Sequence, residues 1–435
     1  MARRHQLVPL SAGTPAELGR AATALADDLA RRPAAPLAEV AREVALREPG
    51  GPYRQAIVAA DTTEAVRLLR RMTPGAEPAA ERVVMFLFPG VGDHYAGMGR
   101  DLYRCEPEFR YWLDRAADLF AAELGTDVRT VLYAGEPERP AHASGIDLGR
   151  LFDDRADSSA LDETRLAQPV VFAVEHALAR LLLSWGIEPA AMAGYSIGEY
   201  VAATVSGVLS LDDAAVLVAR RAELIETVPP GVLLSVLLGE GRLARYLDDE
   251  ELWLAAVNGR ELCVVGGPTH AVERLEKRLA ADGVANVRAG TRHAFHTGMM
   301  TPLVEPLATL VGTFRLAPPG IPVLSNVDGT WLSAEHATSP AYWARHLRRT
   351  VRFHDNLTEL WQRPGAIALE VGPGRMLGSL AAQHPDRPPG RPPVLATLPG
   401  AGQRTDTAAL LDVVGQLWQA GAAVDLPALW REERL

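Results

Sequence analysis

One stretch carries residue types at a spacing suited to covalent chemistry: Ala193-Gly194-Tyr195-Ser196-Ile197-Gly198-Glu199-Tyr200. A serine stands between two glycines, after the small apolar run 189–193 and before a run of helical character at 199–203. That order reads as a nucleophile elbow, a strand-to-helix turn so sharp that a Cβ two residues before or after the serine would collide with its neighbours. The turn lifts the hydroxyl to the helix start, where free backbone N–H groups face a developing negative charge. In a chain with 38 glycines the pentapeptide also arises by chance, so the serine needs a base to make it a reaction centre.

Of eleven histidines, His296 in Arg292-His293-Ala294-Phe295-His296-Thr297 falls where a small inserted unit hands the chain back to the main core. That is a cleft position from which a side chain can face the elbow; a surface or capping histidine is the competing reading. His293 and His296 are also spaced like two metal ligands, but no carboxylate or cysteine cluster nearby supplies a third, and a metal is discounted.

The elements that must position these residues follow from periodicity. Residues 83–88 (Val-Val-Met-Phe-Leu-Phe) are apolar throughout, as a strand buried on both faces of a parallel sheet is, and they run into Pro89-Gly90-Val91-Gly92 at the strand's carboxyl end, where open α/β sheets bind ligands. Helical patterns cover 107–124 and 168–183, the strand at 187–193 delivers Ser196, and a pair of helices continues to 225. Short strands at 232–238, 252–257, 262–265 and 284–287, with a helix at 271–281, predict an inserted ferredoxin-like subdomain. The main core resumes with 302–310, a strand at 323–324, a helix at 341–347, a strand at 366–371 and a helix opened by Gly372-Pro373-Gly374. Before all this, strands at 6–10 and 55–60 and helices at 15–32 and 37–47 make a small α+β layer closed by the segment 73–78. The polar stretch 133–164 reads as a surface loop, and 385–393 as an extended one.

The 435 residues, 48% of them hydrophobic, allow two or three structural units with a sizeable core. The net charge of −10, with acidic residues spread along the chain, argues against nucleic acid as the main partner. Cys105 and Cys263 have no metal-ligand spacing and fit a reducing cytoplasm as small core residues. No apolar run reaches the roughly 18 residues of a membrane span, so no membrane partner is expected.

Taken together, the ordered motifs resemble the acyltransferase domain of modular type I polyketide synthases, related to malonyl-CoA:acyl-carrier-protein transacylases. Phe88-Pro89-Gly90-Val91-Gly92 is similar to the family's Phe-Pro-Gly-Gln-Gly loop, and Gly194-Tyr195-Ser196-Ile197-Gly198-Glu199 to its Gly-His-Ser-x-Gly-Glu elbow. Arg221 falls 25 residues after Ser196, where the family has its arginine, and His293-Ala294-Phe295-His296 matches its specificity tetrad. Ser325-Asn326-Val327, Tyr342-Trp343 with Val351-Arg352-Phe353, and Glu370-Val371-Gly372-Pro373-Gly374 complete the order. The resemblance implies an α/β fold: an α/β-hydrolase-like large subdomain with a parallel sheet (81–230 and 293–400), the ferredoxin-like small subdomain (231–292), a ketosynthase-to-acyltransferase linker domain (1–80) and a following linker segment (401–435). Neither a ketosynthase cysteine motif nor a carrier-protein Asp-Ser-Leu site is present, so an acyltransferase excised from a longer chain or naturally discrete is expected.

The implied mechanism is ping-pong. Ser196 attacks an acyl-CoA thioester, His296 takes its proton, and the backbone N–H groups of Val91 and Ile197 hold the oxyanion. His296 is oriented by a main-chain carbonyl, aligned at His346. Arg221, which on a helix beside Arg220 also reads as a solvated charge, would clamp the free carboxylate of a dicarboxylic acyl unit. The ring of Phe295, with His293, matches the family's malonyl type. Tyr195, where the family has histidine, is either a tolerated swap or a reshaping of the acyl pocket; Gln168 and Asn258 align with polar positions near it, or cap local backbone. No cofactor is bound permanently: the acyl-CoA is substrate, and the partner is the phosphopantetheine of an acyl carrier protein. Arg345, Arg348, Arg349 and Arg352 are a candidate surface for that acidic protein, with a solvated helix end as the competing reading, and a ketosynthase neighbour is implied. The resemblance leaves open a discrete relative that moves an unusual acyl group between carrier proteins, or an editing hydrolase.

Overall fold

A computed structural model of the chain describes residues 3–47, 50–75, 77–134, 161, 163–248, 250–398, 400 and 405–431. At the N-terminus β1 (Gln6–Ala12) precedes α1 (Pro15–Arg31) and α2 (Leu37–Arg47), and β2 (Tyr53–Ala59), antiparallel to β1, leads into α3 (Thr62–Arg71). Thr14 caps α1 by accepting from the Glu17 N–H, with Pro15 in the first turn, and Asp61 caps α3 through the Glu64 N–H. The sequence reading assigns no element to α3, whose buried face is only Thr62, Ala65 and Leu69. Packing against α1, more than its own pattern, orders it.

The main core begins with β3 (Val83–Phe88), α4 (Arg100–Cys105), α5 (Pro107–Leu124), α6 (Val128–Leu132), α7 (Thr164–Ser184), β4 (Pro189–Gly194), α8 (Ile197–Val205) and α9 (Leu211–Ile225). Most of the surface loop expected at 133–164 lies outside the described residues. α7 is long and apolar enough on length and composition to cross a membrane, contrary to the sequence expectation; here 89% of it is buried inside the protein, packed on α5 and α9.

A smaller unit follows: β5 (Val232–Val236), α10 (Glu240–Leu243), β6 (Trp253–Gly259), β7 (Leu262–Gly267), α11 (Thr269–Ala281) and β8 (Asn286–Arg288). Its antiparallel sheet has the order β6-β7-β5-β8, the split βαβ arrangement of ferredoxin-like folds. β8 starts two residues later than expected, after Val284. Cys105 and Cys263 are both free thiols.

The core resumes with α12 (Val304–Val311), β9 (Val323–Leu324), α13 (Ala334–Ala337), α14 (Pro340–His346), α15 (Phe353–Trp361), β10 (Ala366–Pro373), α16 (Met376–Gln383) and β11 (Val394–Leu398). The sequence reading assigns no strand at β11, because it follows directly on the proline-rich stretch at 385–393. The five strands form a wholly parallel sheet in the order β11-β10-β3-β4-β9. β3 is covered on both faces: Phe86 and Phe88 join the cluster holding Phe120 and Phe172, while Met85 and Leu87 join the one holding Leu357 and Leu377. The loops after β3, β4, β9 and β10 leave the sheet at one edge, and the site is built there.

Two further contacts fix the units to each other. Val257 N–H donates to the Val351 carbonyl at 2.8 Å and Val351 N–H to that of Ala255 at 2.9 Å, tying the small sheet to the segment after α14. The C-terminal helix α17 (Asp406–Ala420) lies on β2 and β11, with the Ala56 N–H on Gln419 Oε1 at 2.5 Å, and the Trp430 indole donates to Gln6 Oε1 at 3.0 Å.

A Cβ at Gly198 would lie 2.1 Å from the Phe88 carbonyl oxygen, whereas one at Gly241 meets nothing within 4 Å. Gly198→Ala is therefore expected to cost about 3 kcal/mol of unfolding free energy, and Gly241→Ala, inside a helix, to add about 0.5–1 kcal/mol. Urea titration of both variants checks this; equal effects would contradict it.

Candidate active site

The elbow forms because β4 and α8 meet closer than any side chain allows. A Cβ at Gly194 would lie 2.0 Å from the Gly198 carbonyl carbon. The Tyr195 N–H continues the sheet by donating to the Phe88 carbonyl at 2.8 Å, and Ser196 then adopts φ 52°, ψ −114°, a conformation costly for a non-glycine residue. Asn326, just after β9, holds it there. Its Oδ1 accepts the Ser196 N–H at 2.7 Å, and its Nδ2 donates to the Gly194 carbonyl at 2.5 Å.

The loop after β3 abuts the elbow. Gly90 has φ 71°, and a Cβ there would lie 2.7 Å from the Tyr195 carbonyl oxygen and 2.9 Å from Ile197 Cγ2. Its N–H donates to Glu175 Oε1 at 2.7 Å. Burial pushes the Glu175 carboxyl well above the usual carboxylate range. Neither the Val91 nor the Ile197 N–H is taken up by a partner among the described residues. Two free donors beside the serine hydroxyl are what an oxyanion site requires.

His296 also has a left-handed backbone, φ 60°, and its N–H donates to the Leu347 carbonyl at 2.9 Å. Its Nε2 lies 2.7 Å from Ser196 Oγ, and its Nδ1 lies 3.1 Å from the His346 carbonyl and 2.9 Å from the Arg349 carbonyl. A carbonyl only accepts, so Nδ1 carries the hydrogen and the Nε2 lone pair faces the serine. The alignment at His346 is half of this clamp; Arg349 supplies the other half. Burial, then the neighbouring His346 and Arg221, lower the His296 pKa to about 3, which keeps the ring neutral and able to accept a proton.

Arg221 on α9 is 1% exposed. It donates to Gln168 Oε1 and lies over the Tyr200 ring at 5.5 Å, its Nε has no partner, and no carboxylate pairs with it among the described residues. It is not the solvated charge that its neighbour Arg220 is: Arg220 pairs at the surface with Glu123 and Glu223. A buried guanidinium without a counter-charge is costly, and an entering carboxylate relieves that cost. Burial is the first cause of its lowered pKa.

Phe295 is half-buried against the same core as Tyr200, and the buried His293 ring lies 6.4 Å from it with Nδ1 unpaired. Tyr195 goes elsewhere. It packs in the cluster on the other face of the sheet, edge-on to Phe353 at 5.6 Å, with its hydroxyl toward Asn258. Of the four basic residues, Arg345, Arg348 and Arg349 are exposed, with Arg348 Nε donating to Thr301 Oγ1 at 2.8 Å. Arg352 does not belong with them, because it is held by Glu240 at 2.9 Å and Asp355 at 2.7 Å. Among the described residues no group of three or more His, Cys, Asp or Glu side chains could hold a metal.

Sequence reasoning gave no role to Glu175, Asn326 or Glu199. The last carried a signal: it stands three residues after Ser196, the spacing of a helix-start capping pair.

This combination of a parallel sheet, a serine elbow at its carboxyl edge and a neutral histidine on the hydroxyl is that of enzymes that pass acyl groups through a serine. The family model of the acyl transferase domain matches residues 85–383, and the chain belongs to that family as an acyltransferase. It is 34% identical, over 97% of its length, to a phenolphthiocerol/phthiocerol polyketide synthase of Mycobacterium tuberculosis, of which it spans 28%. Among solved structures, the acyl transferase domain of SpnD, in complex with 2-(pent-4-yn-1-yl)malonyl, superposes with a TM-score of 0.84 at 35% identity, and that of ZmaA with 0.86 at 30%; each match covers at least 98% of both chains.

The depressed His296 pKa fixes a pH dependence. The neutral ring needed to accept a proton is fully present above its ordinary value and is lost only as the pH falls toward about 3. Between pH 7.5 and 5.5 the rate of Ser196 acylation is expected to change less than about twofold, whereas an unshifted imidazole would lose about tenfold. Single-turnover rates across that range check it.

Proposed function

We propose that this acyltransferase loads a malonyl unit from malonyl-CoA onto the phosphopantetheine thiol of an acyl carrier protein, within a polyketide assembly line. The observation that carries the reading is the buried Arg221 with no carboxylate partner, beside a neutral His296 on Ser196.

On this reading the malonyl carboxylate pairs with the Arg221 guanidinium while Gln168 steadies the arginine. Ser196 Oγ attacks the thioester carbon as its proton passes to His296 Nε2, and the N–H groups of Val91 and Ile197 receive the oxyanion. The C–S bond breaks, the CoA sulfur takes the proton from His296, and a malonyl ester remains on Ser196. The carrier thiol then gives its proton to His296 and attacks the ester. Its C–O bond breaks, and the proton returns to Ser196. The Nδ1 clamp keeps the ring oriented through both halves.

Phe295, half-buried beside the buried His293, limits room at the α-carbon and favours malonyl over substituted units. One methyl in such a pocket is worth about 1–3 kcal/mol, so the preference is graded. Tyr195 shapes the site from the small-unit side with Asn258, away from Phe295. Arg345, Arg348 and Arg349 form the carrier-docking surface, without Arg352. Residues 1–80 serve as the spacer to a neighbouring ketosynthase.

Intact-mass measurement after brief exposure to mixed malonyl-, methylmalonyl- and acetyl-CoA tests the reading. A malonyl adduct in the wild type, absent from Ser196→Ala and formed about 10²-fold more slowly by Arg221→Ala, is expected from the loss of a charge-assisted pair. An acetyl adduct dominating in the wild type would refute it. Arg345→Glu with Arg349→Glu should slow transfer to the carrier protein about tenfold at low salt and leave acylation by malonyl-CoA unchanged; unchanged transfer would remove those arginines from the surface.

A further inference from the structure

The carboxyl group of Glu199 lies behind the elbow, fully buried, and reaches both halves of the Ser196–His296 pair. We propose that Glu199 is a positioning residue for the acyl transfer, setting the place of Ser196 through Asn326 and that of His296 through His346. The inference rests on the serine–histidine reading above but not on the identity of the acyl group.

The path to the serine begins at the helix start. A glutamate three residues after a helix-capping serine ordinarily folds back to that serine's own N–H. Here the Ser196 N–H is taken by Asn326 Oδ1 at 2.7 Å. Glu199 instead accepts the backbone N–H of Asn326 on Oε2 at 2.6 Å. Glu199 thus fixes the backbone of the residue whose side chain holds Ser196 at φ 52° and also ties down the Gly194 carbonyl. The small elbow glycines permit the turn, and the Glu199–Asn326 link selects it.

The path to the histidine uses the same oxygen. His346 Nε2 donates to Glu199 Oε2 at 3.2 Å, both side chains having no solvent exposure. His346 is the residue whose carbonyl takes the His296 Nδ1–H at 3.1 Å. Its ring stands edge-on to Tyr200 at 5.0 Å and to His296 at 5.7 Å, so it cannot turn without moving either. The other oxygen, Oε1, accepts from the Tyr342 hydroxyl, which also meets Ser325 Oγ at 2.6 Å. Residues from α8, the loop after β9 and α14 therefore meet on one carboxyl group. A displacement of about 1 Å between nucleophile and base costs about 10²-fold in rate, and this group spans the elements that set that distance.

The test compares the wild type with Glu199→Gln and Tyr342→Phe, with Ser196→Ala as the blank. Sulfonylation by phenylmethanesulfonyl fluoride reads the serine–histidine geometry independently of any acyl specificity. Single-turnover acylation by malonyl-CoA separates the maximal rate from half-saturation. Glutamine keeps the size of the side chain but meets three donors with one acceptor. We expect Glu199→Gln to lower sulfonylation and maximal acylation about 10²-fold, with half-saturation within about twofold of the wild type, because Arg221 and Gln168 are untouched. Tyr342→Phe removes one donor and should lower both rates about threefold to tenfold. A folded Glu199→Gln that sulfonylates at the wild-type rate overturns the proposal, as does a rise in half-saturation at unchanged rate. If Glu199→Gln fails to fold, Tyr342→Phe decides, and wild-type rates in that variant overturn it. A wild type that is sulfonylated yet refuses malonyl-CoA defeats the substrate reading and leaves the test of Glu199 valid.

Discussion

The closest constraint in the molecule is the approach of three backbone segments with no side chain between them: the end of β3, the end of β4 and the start of α8. Added Cβ atoms at Gly194 and Gly198 would sit 2.0 Å and 2.1 Å from backbone atoms of this junction. Because the strand cannot leave the helix any other way, Ser196 is forced into a strained conformation, and that strain aims its hydroxyl at His296. The remaining site parts depend on this junction. Gly90 leans on it from the loop after β3, Asn326 pins it from β9, and Glu175 holds the Gly90 N–H from α7.

A second dependence is electrostatic. His296 and Arg221 share a desolvated region, and the arginine's charge is one of the causes that lower the histidine's pKa. On the proposed function, a substrate carboxylate on Arg221 cancels that charge. The base is then less depressed in the loaded site than in the empty one, so the basicity of His296 rises when a dicarboxylic unit is present. Binding and proton transfer are coupled through one guanidinium. A monoacyl unit lacks this coupling as well as the ion pair.

Much of the fold was legible because its signals are local. The all-apolar run at β3, the alternating short strands of the small unit and the glycine pattern at the elbow each state their own geometry. α3 and β11 were not legible, since each is short and ordered by neighbours far along the chain. The site divides the same way. Ser196 and His296 announced themselves by motif, and the burial that turns Arg221 from a surface charge into an isolated cation followed from α9 packing on α7. Asn326, Glu199 and the Arg349 carbonyl were hidden because their roles arise only when loops distant in sequence meet at one sheet edge. Arg352 illustrates the converse: counted by sequence with three exposed arginines, it is neutralised by Glu240, more than a hundred residues away. Tyr195, adjacent to the nucleophile in sequence, points to the opposite core because successive residues at a strand end face opposite sides.

The central claim is that the buried Arg221 exists to receive the free carboxylate of an acyl unit carried on Ser196. A crystal structure of the malonylated protein, trapped in the absence of carrier protein, tests it most directly. The account predicts an ester on Ser196 Oγ whose free carboxylate makes two hydrogen bonds with the Arg221 guanidinium, with His296 still clamped at Nδ1. A malonyl carboxylate turned toward solvent, with Arg221 bonded only to Gln168, would contradict it.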